Sequence, residues 1–431
     1  MRLIFKKTLA LVLKAESTLV LSKYKPKIIA ITGSVGKTST KDAIYATLVG
    51  TYHVRKSEKS YNSELGLPLT ILGLPNGWND PLLWIKNIFK GLWLFIWPHK
   101  YPKWLVLEVG IGKPGDMKKT AGWLKSDAVV ITAITETPPH VEFFESRKHL
   151  IEEKAGLIKT LKKDGILILN ADNKDVLDLK SRTKSRVLTF GFSEKADIRG
   201  SSEQIFYNEK NIPTGIIFRV DEKDRSVPVV VEGVFGKNHI YASLIALTVS
   251  SGLKLNMIES AGKLKNYEVP PGRMRLLEGI KDSFIIDDTY NSSPFACESA
   301  LNTLEQIKSS GRKIAILGDM LELGKHTEES HKQIGQIAST FVDMLVVVGP
   351  RAEHIKNGAL ENGFSDDKIF SFANSYEAGD FIKNELKEGD FILVKGSQGV
   401  RMERIVGEIL LDQANKSKLV VRQDKEWLEK R

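Results

Sequence analysis

Short apolar runs rich in β-branched residues alternate along this chain with longer stretches of helical spacing, the pattern of an α/β protein. The first run, Ile28, Ile29 and Ile31 within KIIAIT, ends at Gly33, and Gly36-Lys37-Thr38 opens a helical stretch from Ser39 to Val49. WLVLEVG (104–110), AVVITAI (128–134) and GILILN (165–170) repeat the strand signal. Near-continuous apolar runs of this kind suit strands buried on both faces of a parallel sheet. From Ile198 to Gly233 the pattern shifts to alternating residues with polar turns (IIFRV, VPVVVEG), which predicts a small antiparallel patch, and helix returns over Gly236–Ser250. Beyond Pro270-Pro271-Gly272 the alternation is clean: FIIDD (284–288), KIAILGDM (313–320), MLVVVG (344–349), KIFSF (368–372) and DFILVKGS (390–397) read as strands separated by helices. The expected fold is therefore α/β: a central parallel-sheet domain over 27–272 carrying the antiparallel patch, then a Rossmann-like α/β domain over 273–431. The second sheet has no G-x-G-x-x-G, which argues against a dinucleotide.

Two stretches stand outside this alternation. Residues 2–24 read as one amphipathic helix, with Leu9, Val12, Leu13, Leu19 and Val20 at helical spacing and Glu16 interrupting the stripe. A helix packed on the core is favoured over one lying on a membrane surface. The second stretch, 78–104, holds Trp78, Trp84, Trp93, Trp97 and Trp104 interleaved with Lys86, Lys90, Lys100 and Lys103. Tryptophan beside lysine is the composition of an interfacial membrane helix. A helical hairpin burying its aromatics against the core is the alternative, and both stay open.

Length and composition narrow the class. A chain of 431 residues is too long for one ordinary core, so two or three domains are expected. Lys and Arg number 63 against 53 Asp and Glu, a surplus of +10 that suits anionic substrates or an anionic membrane surface. No strongly basic run or nucleic-acid motif accompanies it, so nucleic acid is not an expected partner. The single cysteine, Cys297, excludes an intramolecular disulfide and a cysteine-cluster metal site, and fits packing in a reducing cytoplasm. The first 25 residues carry Lys6, Lys7, Lys14 and Glu16 and no small-residue cleavage site, so neither a spanning helix nor a signal peptide is expected there.

The chemistry starts at TGSVGKTS (32–39). A strand, a glycine turn and a helix start in that order present backbone N–H groups and the positive end of a helix dipole to an anion. Gly33, Ser34, Val35, Gly36, Lys37, Thr38 and Ser39 form a G-x-x-G-K-T loop, shorter than the full phosphate-loop pattern because Ile31 stands where that pattern has its first glycine. Lys37 supplies a cation for the β- and γ-phosphates and Thr38 a hydroxyl for Mg²⁺. The loop is expected to bind a nucleoside triphosphate. Glu108 lies near the C-terminal end of its strand, the end that faces the ligand crevice in a parallel sheet.

Seven stretches, in order over residues 27–400, resemble the Mur ligase family, which joins amino acids or peptides to cell-wall precursors. They are ITGSVGKTSTK (31–41), YNSELGLPLT (61–70), LEVGIGKPGDM (107–117), PPGRMRLLEG (270–279), IIDDTYNSSP (285–294), ILGDMLELG (316–324) and VKGSQG (394–399). The likeness is closest to members that add D-alanyl-D-alanine. The resemblance implies an ATP-dependent carboxylate–amine ligase working through an acyl phosphate, with Mg²⁺ held by Thr38 and Glu108. It implies a second Mg²⁺ held by His140 and by Lys154 as its CO₂ carbamate, since an ammonium would repel the cation. It assigns the nucleotide to Asn238, Arg273, Asp288, Tyr290 and Asn291 besides the loop, with Arg273 completing the site on closure. Lys395 and Ser397 become candidates for the carboxylate of the incoming amine. His331 also matches a family position, without an assigned role.

The chain departs from the family in three places. Family members carry a domain ahead of the phosphate loop that binds the uridine-diphosphate part of the precursor, whereas 26 residues precede Lys27 here. GKNHIYAS (236–243) puts Asn238, His239 and Ala242 where the family has Gly-x-His-Asn-x-x-Asn, which alters an adenine contact. The 78–104 segment is longer than in relatives and points to a substrate presented at the inner face of a membrane. Two rivals share or lack the chemistry: a folylpolyglutamate-synthase-like or cyanophycin-type ligase, and a non-ligating phosphate-loop scaffold. A scaffold has no use for His140 and Lys154.

Overall fold

The computed structural model describes residues 3–57, 61–62, 64–135 and 144–429. His140 lies outside the described residues. The chain divides into two compact units: residues 1–202, 218–229 and 238–268 make the first, and 203–217, 230–237 and 269–431 the second.

The first unit holds β1 (Lys27–Thr32), β2 (Val54–Lys56), β3 (Trp104–Glu108), β4 (Ser126–Ile131), β5 (Leu161–Asn170) and β6 (Arg186–Gly191) whole, with parts of β7 (Ile198–Tyr207), β8 (Pro213–Glu222) and β9 (Arg225–Glu232). The order across the sheet is β2-β3-β1-β4-β5-β6-β7-β8-β9, and every pairing from β2 to β7 is parallel. Only Lys223 and Asp224 separate β8 from β9, a connection too short for a parallel crossover, so these neighbours are antiparallel. The expected antiparallel patch is thus an extension of the parallel sheet, joined to it where Phe190 pairs with Ile198. β2 and β6 carried no strand signal, since VRK is too short and RVLTFG too mixed to read. Ile29, Ile31, Leu105, Leu107, Val129 and Ile131 are fully buried, as expected for strands covered on both faces.

Helices α1 (Leu3–Tyr24), α2 (Lys37–Leu48), α3 (Gly66–Leu72) and α4 (Pro81–Ile96) lead off the unit. On α1 the buried face is Leu9, Leu13, Glu16, Ser17 and Val20, while Leu19 is exposed. Glu16 therefore belongs to the buried stripe rather than interrupting it. Its carboxylate faces α4 at Gly91, where a Cβ would lie 2.1 Å from Oε2, so glycine leaves room for the carboxylate. Neither carboxylate oxygen has a hydrogen-bond partner among the described residues, and burial pushes its pKa up to about 7.

Residues 78–104 are not a hairpin. Asp80 caps α4 by accepting from the N–H groups of Leu82 and Leu83, and after Ile96 the chain runs without regular structure into β3. Trp84 and Trp104 are buried, whereas Trp78, Trp93 and Trp97 are exposed. No helix among the described residues is long and apolar enough to cross a membrane.

The second unit carries β10 (Arg275–Glu278), β11 (Phe284–Asp288), β12 (Lys313–Gly318), β13 (Met344–Val348), β14 (Ile369–Phe372) and β15 (Phe391–Lys395) in the order β10-β11-β15-β12-β13-β14. All pairings are parallel except β10 with β11. β10 is an antiparallel edge that the sequence did not announce. Ile285, Ile314, Ile316, Val346, Ile392 and Val394 form the sheet's contribution to a buried core.

Candidate active site

The C-terminal ends of β1, β3 and β4 meet at one level, because Ile31 is in register with Glu108 on one side and Thr32 with Ile131 on the other. The loop that follows β1 is glycine-dependent at two points. Gly33 has φ +148°, and a Cβ there would lie 2.0 Å from the Thr132 hydroxyl oxygen. Gly36 has φ +79° and stands at the N-terminus of α2, which no side chain caps. That helix end can offer its first N–H groups to an anion. The loop is pinned to the end of β4 by two bonds: Ser34 N–H donates to Ala133 O at 2.7 Å, and Thr132 Oγ1 donates to Val35 O at 2.6 Å. Lys37 Nζ folds back onto Gly33 O (2.8 Å) and Ser34 O (3.3 Å). Thr38 and Ser39 are buried, and Val35 is exposed at the loop tip.

Behind the loop, Thr38 Oγ1 donates to Glu108 Oε2 at 2.9 Å, and Asn62 Nδ2 donates to Oε1 at 3.1 Å. Glu108 is buried, so both oxygens are oriented by neighbours rather than by water. A hydroxyl and a carboxylate held together in this way are hard oxygen donors of the kind Mg²⁺ takes. Among the described residues no group of three or more His, Cys, Asp or Glu gathers anywhere, so a purely side-chain metal cage is absent from them.

Lys154 sits on the helix Arg147–Ala155 and reaches the same loop from another side. Its Nζ donates to Gly33 O at 3.1 Å. No carboxylate pairs with it among the described residues, although the side chain is only 5% exposed. Burial, and then the charge of Lys37, lower its pKa to about 7. At neutral pH this amine is partly uncharged. Lys41, one turn further along α2, is fully buried and donates to Ser57 O at 2.8 Å with Asp42 Oδ1 at 3.5 Å. Burial lowers its pKa too, but a carboxylate stands beside it.

Asn62, Thr132 and Lys41 were not singled out by sequence reasoning. Asn62 falls within YNSELGLPLT (61–70), and nothing local in that stretch points to its contact with Glu108. Thr132 carried no signal, because its role is to fit against a glycine. The two residues at the departure from the family pattern separate: Asn238 is exposed in the first turn of the helix Lys237–Gly252, while His239 is buried with Nδ1 3.0 Å from Tyr267 Oη.

In the second unit the expected residues gather around the ends of β11 and β15. Lys395 Nζ meets Asp288 Oδ2 at 2.5 Å and Asn291 O at 3.0 Å. Ser397 Oγ accepts from Leu321 N–H at 2.9 Å and is 3.4 Å from Ser292 O. Both candidates for a substrate carboxylate thus have internal partners. The Arg273 guanidinium lies 3.9 Å from the centre of the Tyr290 ring. Asp287 points inward, accepting from Gly272 N–H and the Thr289 hydroxyl, and burial pushes its pKa up to about 6. Arg422 binds the carbonyls of Thr289 and Tyr290 and pairs with the buried Glu403, fastening the same loop from the C-terminal segment. His331 is buried, its Nε2 accepting from Met320 N–H at 2.9 Å and its Nδ1 bonding Thr327 O at 2.6 Å. With one nitrogen accepting and the other donating, the ring is neutral and structural.

Two family models match the chain, the Mur ligase middle domain over residues 31–250 and the Mur ligase, glutamate ligase domain over 272–398. The UDP-N-acetylmuramoyl-tripeptide–D-alanyl-D-alanine ligase of Bacillus subtilis is 28% identical over 390 residues, covering 89% of this chain and 76% of the relative. Among solved structures, MurF from Acinetobacter baumannii aligns with a TM-score of 0.76 at 21% identity, covering 92% of this chain and 79% of that one. MurF ligase from Thermotoga maritima in complex with ADP aligns with a TM-score of 0.72 at 26% identity, covering 96% and 84%.

Proposed function

The chain belongs to the Mur ligase family, and from that premise we propose that it is an ATP-dependent ligase joining D-alanyl-D-alanine, or a similar amino acid or dipeptide, to a small peptidoglycan precursor. The observation that carries this reading is the corner at Gly33, where an uncapped helix start, Lys37, the Thr38–Glu108 pair and the buried Lys154 amine converge. A relative of the same fold holds ADP, and the B. subtilis relative bears the name of the D-alanyl-D-alanine reaction.

The loop N–H groups and Lys37 bind and orient the β- and γ-phosphates, leaving the γ-phosphorus open to in-line attack. A precursor carboxylate oxygen attacks it, the bond to the ADP oxygen breaks, and an acyl phosphate results. The incoming amine then attacks the acyl carbon, phosphate leaves, the amine loses a proton, and an amide bond remains. Thr38 and Glu108 would hold Mg²⁺, which supplies neutralisation of phosphate charge when bound. Asn62 keeps Glu108 turned toward that position by holding its other oxygen.

We assign Lys154 to carbamylation. The neutral amine adds to CO₂, a C–N bond forms and the nitrogen proton leaves to solvent, giving a carboxylate-like ligand where an ammonium would repel Mg²⁺. The lowered pKa supports this, since only the uncharged amine is nucleophilic. His140 is retained as its partner ligand on the family likeness alone. The 288–291 loop, with Arg273 and Tyr290, is assigned to the nucleotide together with Asn238. The Lys395–Ser397 turn is kept for the incoming carboxylate, its ammonium then shared with Asp288. The reaction is placed in the cytoplasm, with peripheral membrane contact through residues 78–104.

The test is phosphate release from ATP by the purified chain with Mg²⁺ and bicarbonate, across acceptors and amines. Release that needs both a muropeptide acceptor and D-alanyl-D-alanine, with the ligated product seen by mass, supports the reading. No release with any pair, despite tight ATP binding, would replace it with the scaffold.

A further inference from the structure

The proposed membrane contact rests on residues 78–104 as a composition, and α4 gives it a shape. Trp84, Asn87 and Gly91 fix one face of the helix to the unit: Trp84 Nε1 donates to Trp78 O at 3.0 Å, and Asn87 Nδ2 to Pro75 O at 2.8 Å. The opposite face carries Leu82, Ile85, Phe89, Leu92, Trp93 and Ile96, all exposed, with Leu82 at 76% and Phe89 at 68%. At helical spacing these six fall within an arc of about 100°. An apolar stripe of that width is what a helix normally turns toward a core, and here it faces away from one. Trp97 stacks on Trp93 with ring centres 5.1 Å apart, and both remain exposed.

The neighbouring helix fixes the orientation of this face. Glu16 of α1 meets α4 at Gly91, and further along both helices Lys23 Nζ donates to the carbonyls of Phe95 (2.5 Å) and Trp97 (3.0 Å). The two helices therefore run side by side in the same direction, and the ammonium satisfies carbonyls at the C-terminus of α4. Tyr24 adds a bond to Leu94 O at 3.0 Å. The apolar stripe is thus held on a rigid pair of helices.

Charge identifies the occupant. Lys86 and Lys90 are exposed on α4, Lys100 and Lys103 just after it, and Lys7 on α1. Opposing carboxylates are missing from the surface of the pair: Glu16 is buried, and Asp80, the single acid in 78–104, is engaged in capping α4. A second copy of this face would set lysines against lysines, so self-association is disfavoured by repulsion. A surface with negative headgroups above an apolar layer matches both features at once.

We propose that α4, braced by α1, is a monotopic anchor that selects bilayers rich in anionic lipid. Its aromatic and aliphatic side chains enter the headgroup boundary, and its lysines remain among the phosphates. The ligase would then work on substrates at the membrane face rather than throughout the cytoplasm.

The test is co-sedimentation of the full chain with vesicles of phosphatidylcholine alone and of phosphatidylcholine with phosphatidylglycerol, with no ATP or ligase substrate present. Binding to the anionic vesicles at least about tenfold tighter, weakened by salt, supports the proposal. The paired substitution Phe89→Ser and Trp93→Ser should lower that binding about tenfold or more while leaving the melting curve and substrate-driven phosphate release in solution unchanged. Equal binding to both vesicle types would overturn the anionic selection but leave peripheral contact standing. Binding to neither would overturn both. A dimer in solution that the paired substitution dissociates would overturn the lipid assignment and make the face an interface between copies. Because the vesicle-binding arms use no ATP or ligase substrate, failure of the ligase reading would appear separately, as absent phosphate release by the parent chain.

Discussion

Lys154 and Lys395 are both buried lysines, 5% and 2% exposed, and they are treated in opposite ways. In the second unit Lys395 lies against Asp288 and the Asn291 carbonyl, so its charge is answered and the loop 288–291 is held by it. In the first unit Lys154 has the Gly33 carbonyl, and burial, then the repulsion of Lys37, lowers its pKa to about 7. An ammonium without a counter-charge costs stability, and the cost is met by shifting the group toward its neutral form. The Lys395–Asp288 pair holds the 288–291 loop in place, and in the proposed reading its ammonium is shared with the incoming carboxylate. The difference separates a buried lysine whose charge is met by a carboxylate from one beside which no carboxylate pairs among the described residues.

The strongest way to break this comparison is to remove each lysine in turn. Lys154→Ala should lower turnover by about a thousandfold or more, as loss of an electrostatic ligand at a phosphoryl-transfer site does. ATP binding, followed by calorimetry, should persist, and the melting temperature should hold or rise because an uncompensated buried charge has gone. Unchanged turnover would remove Lys154 from the site. Lys395→Ala should instead destabilise the second unit by about 2–3 kcal/mol, the usual result of leaving one partner of a buried pair alone, somewhat reduced because Asp288 is partly exposed. Adding Asp288→Asn should restore part of that loss in denaturant melts. If the single change melts like the parent chain, the pair is not structural.

A third experiment sharpens the Lys154 half of the comparison. The Lys154 amine becomes nucleophilic as pH rises through about 7, so bicarbonate-dependent turnover should climb roughly tenfold between pH 6 and 8. In buffer stripped of CO₂ the climb should vanish. A profile indifferent to CO₂ would leave Lys154 a cation acting on phosphate.

How far such distinctions could be read from the chain depends on how local their causes are. The glycines, Lys37 and Thr38 were legible because one short stretch carries strand, turn and helix start together. β1, β3 and β4 were legible because both their faces are buried and their runs are continuous. β2 and β10 were not, being short edge strands whose pairing is decided by neighbours far away. The contacts that build the two sites are equally remote, Lys154 reaching Gly33 across 121 positions. Asn62 reaches Glu108 across 46 positions, Thr132 reaches Val35 across 97, and Lys395 reaches Asp288 across 107. Nothing within a window of one helix or strand could tell Lys395 from Lys154. Glu16 misled for the same reason: at helical spacing it sat on the buried face, but its charge argued for solvent.

Glu16 also supplies the smallest and most controlled test, because it is a buried carboxyl group without a hydrogen-bond partner among the described residues and is assigned no place in the reaction. Its pKa is raised from 4.5 to about 7 by burial. The folded chain therefore holds a proton on Glu16 between those values that the unfolded chain releases, and stability falls as pH rises through the window. The full loss, reached above pH 7, is at most about 3 kcal/mol. Glu16→Gln keeps the shape beside Gly91 and removes the ionisation. It should leave stability nearly unchanged at pH 5 and raise it by about 1–3 kcal/mol at pH 8, with turnover per folded molecule untouched. Equal stability of the two chains at pH 8 would mean that solvent or an internal cation reaches the carboxylate. Gain of stability without change of rate, set beside loss of rate without loss of stability at Lys154, would show that unpaired burial by itself does not mark a catalytic group, and that the phosphate-loop carbonyl and Lys37 beside the amine do.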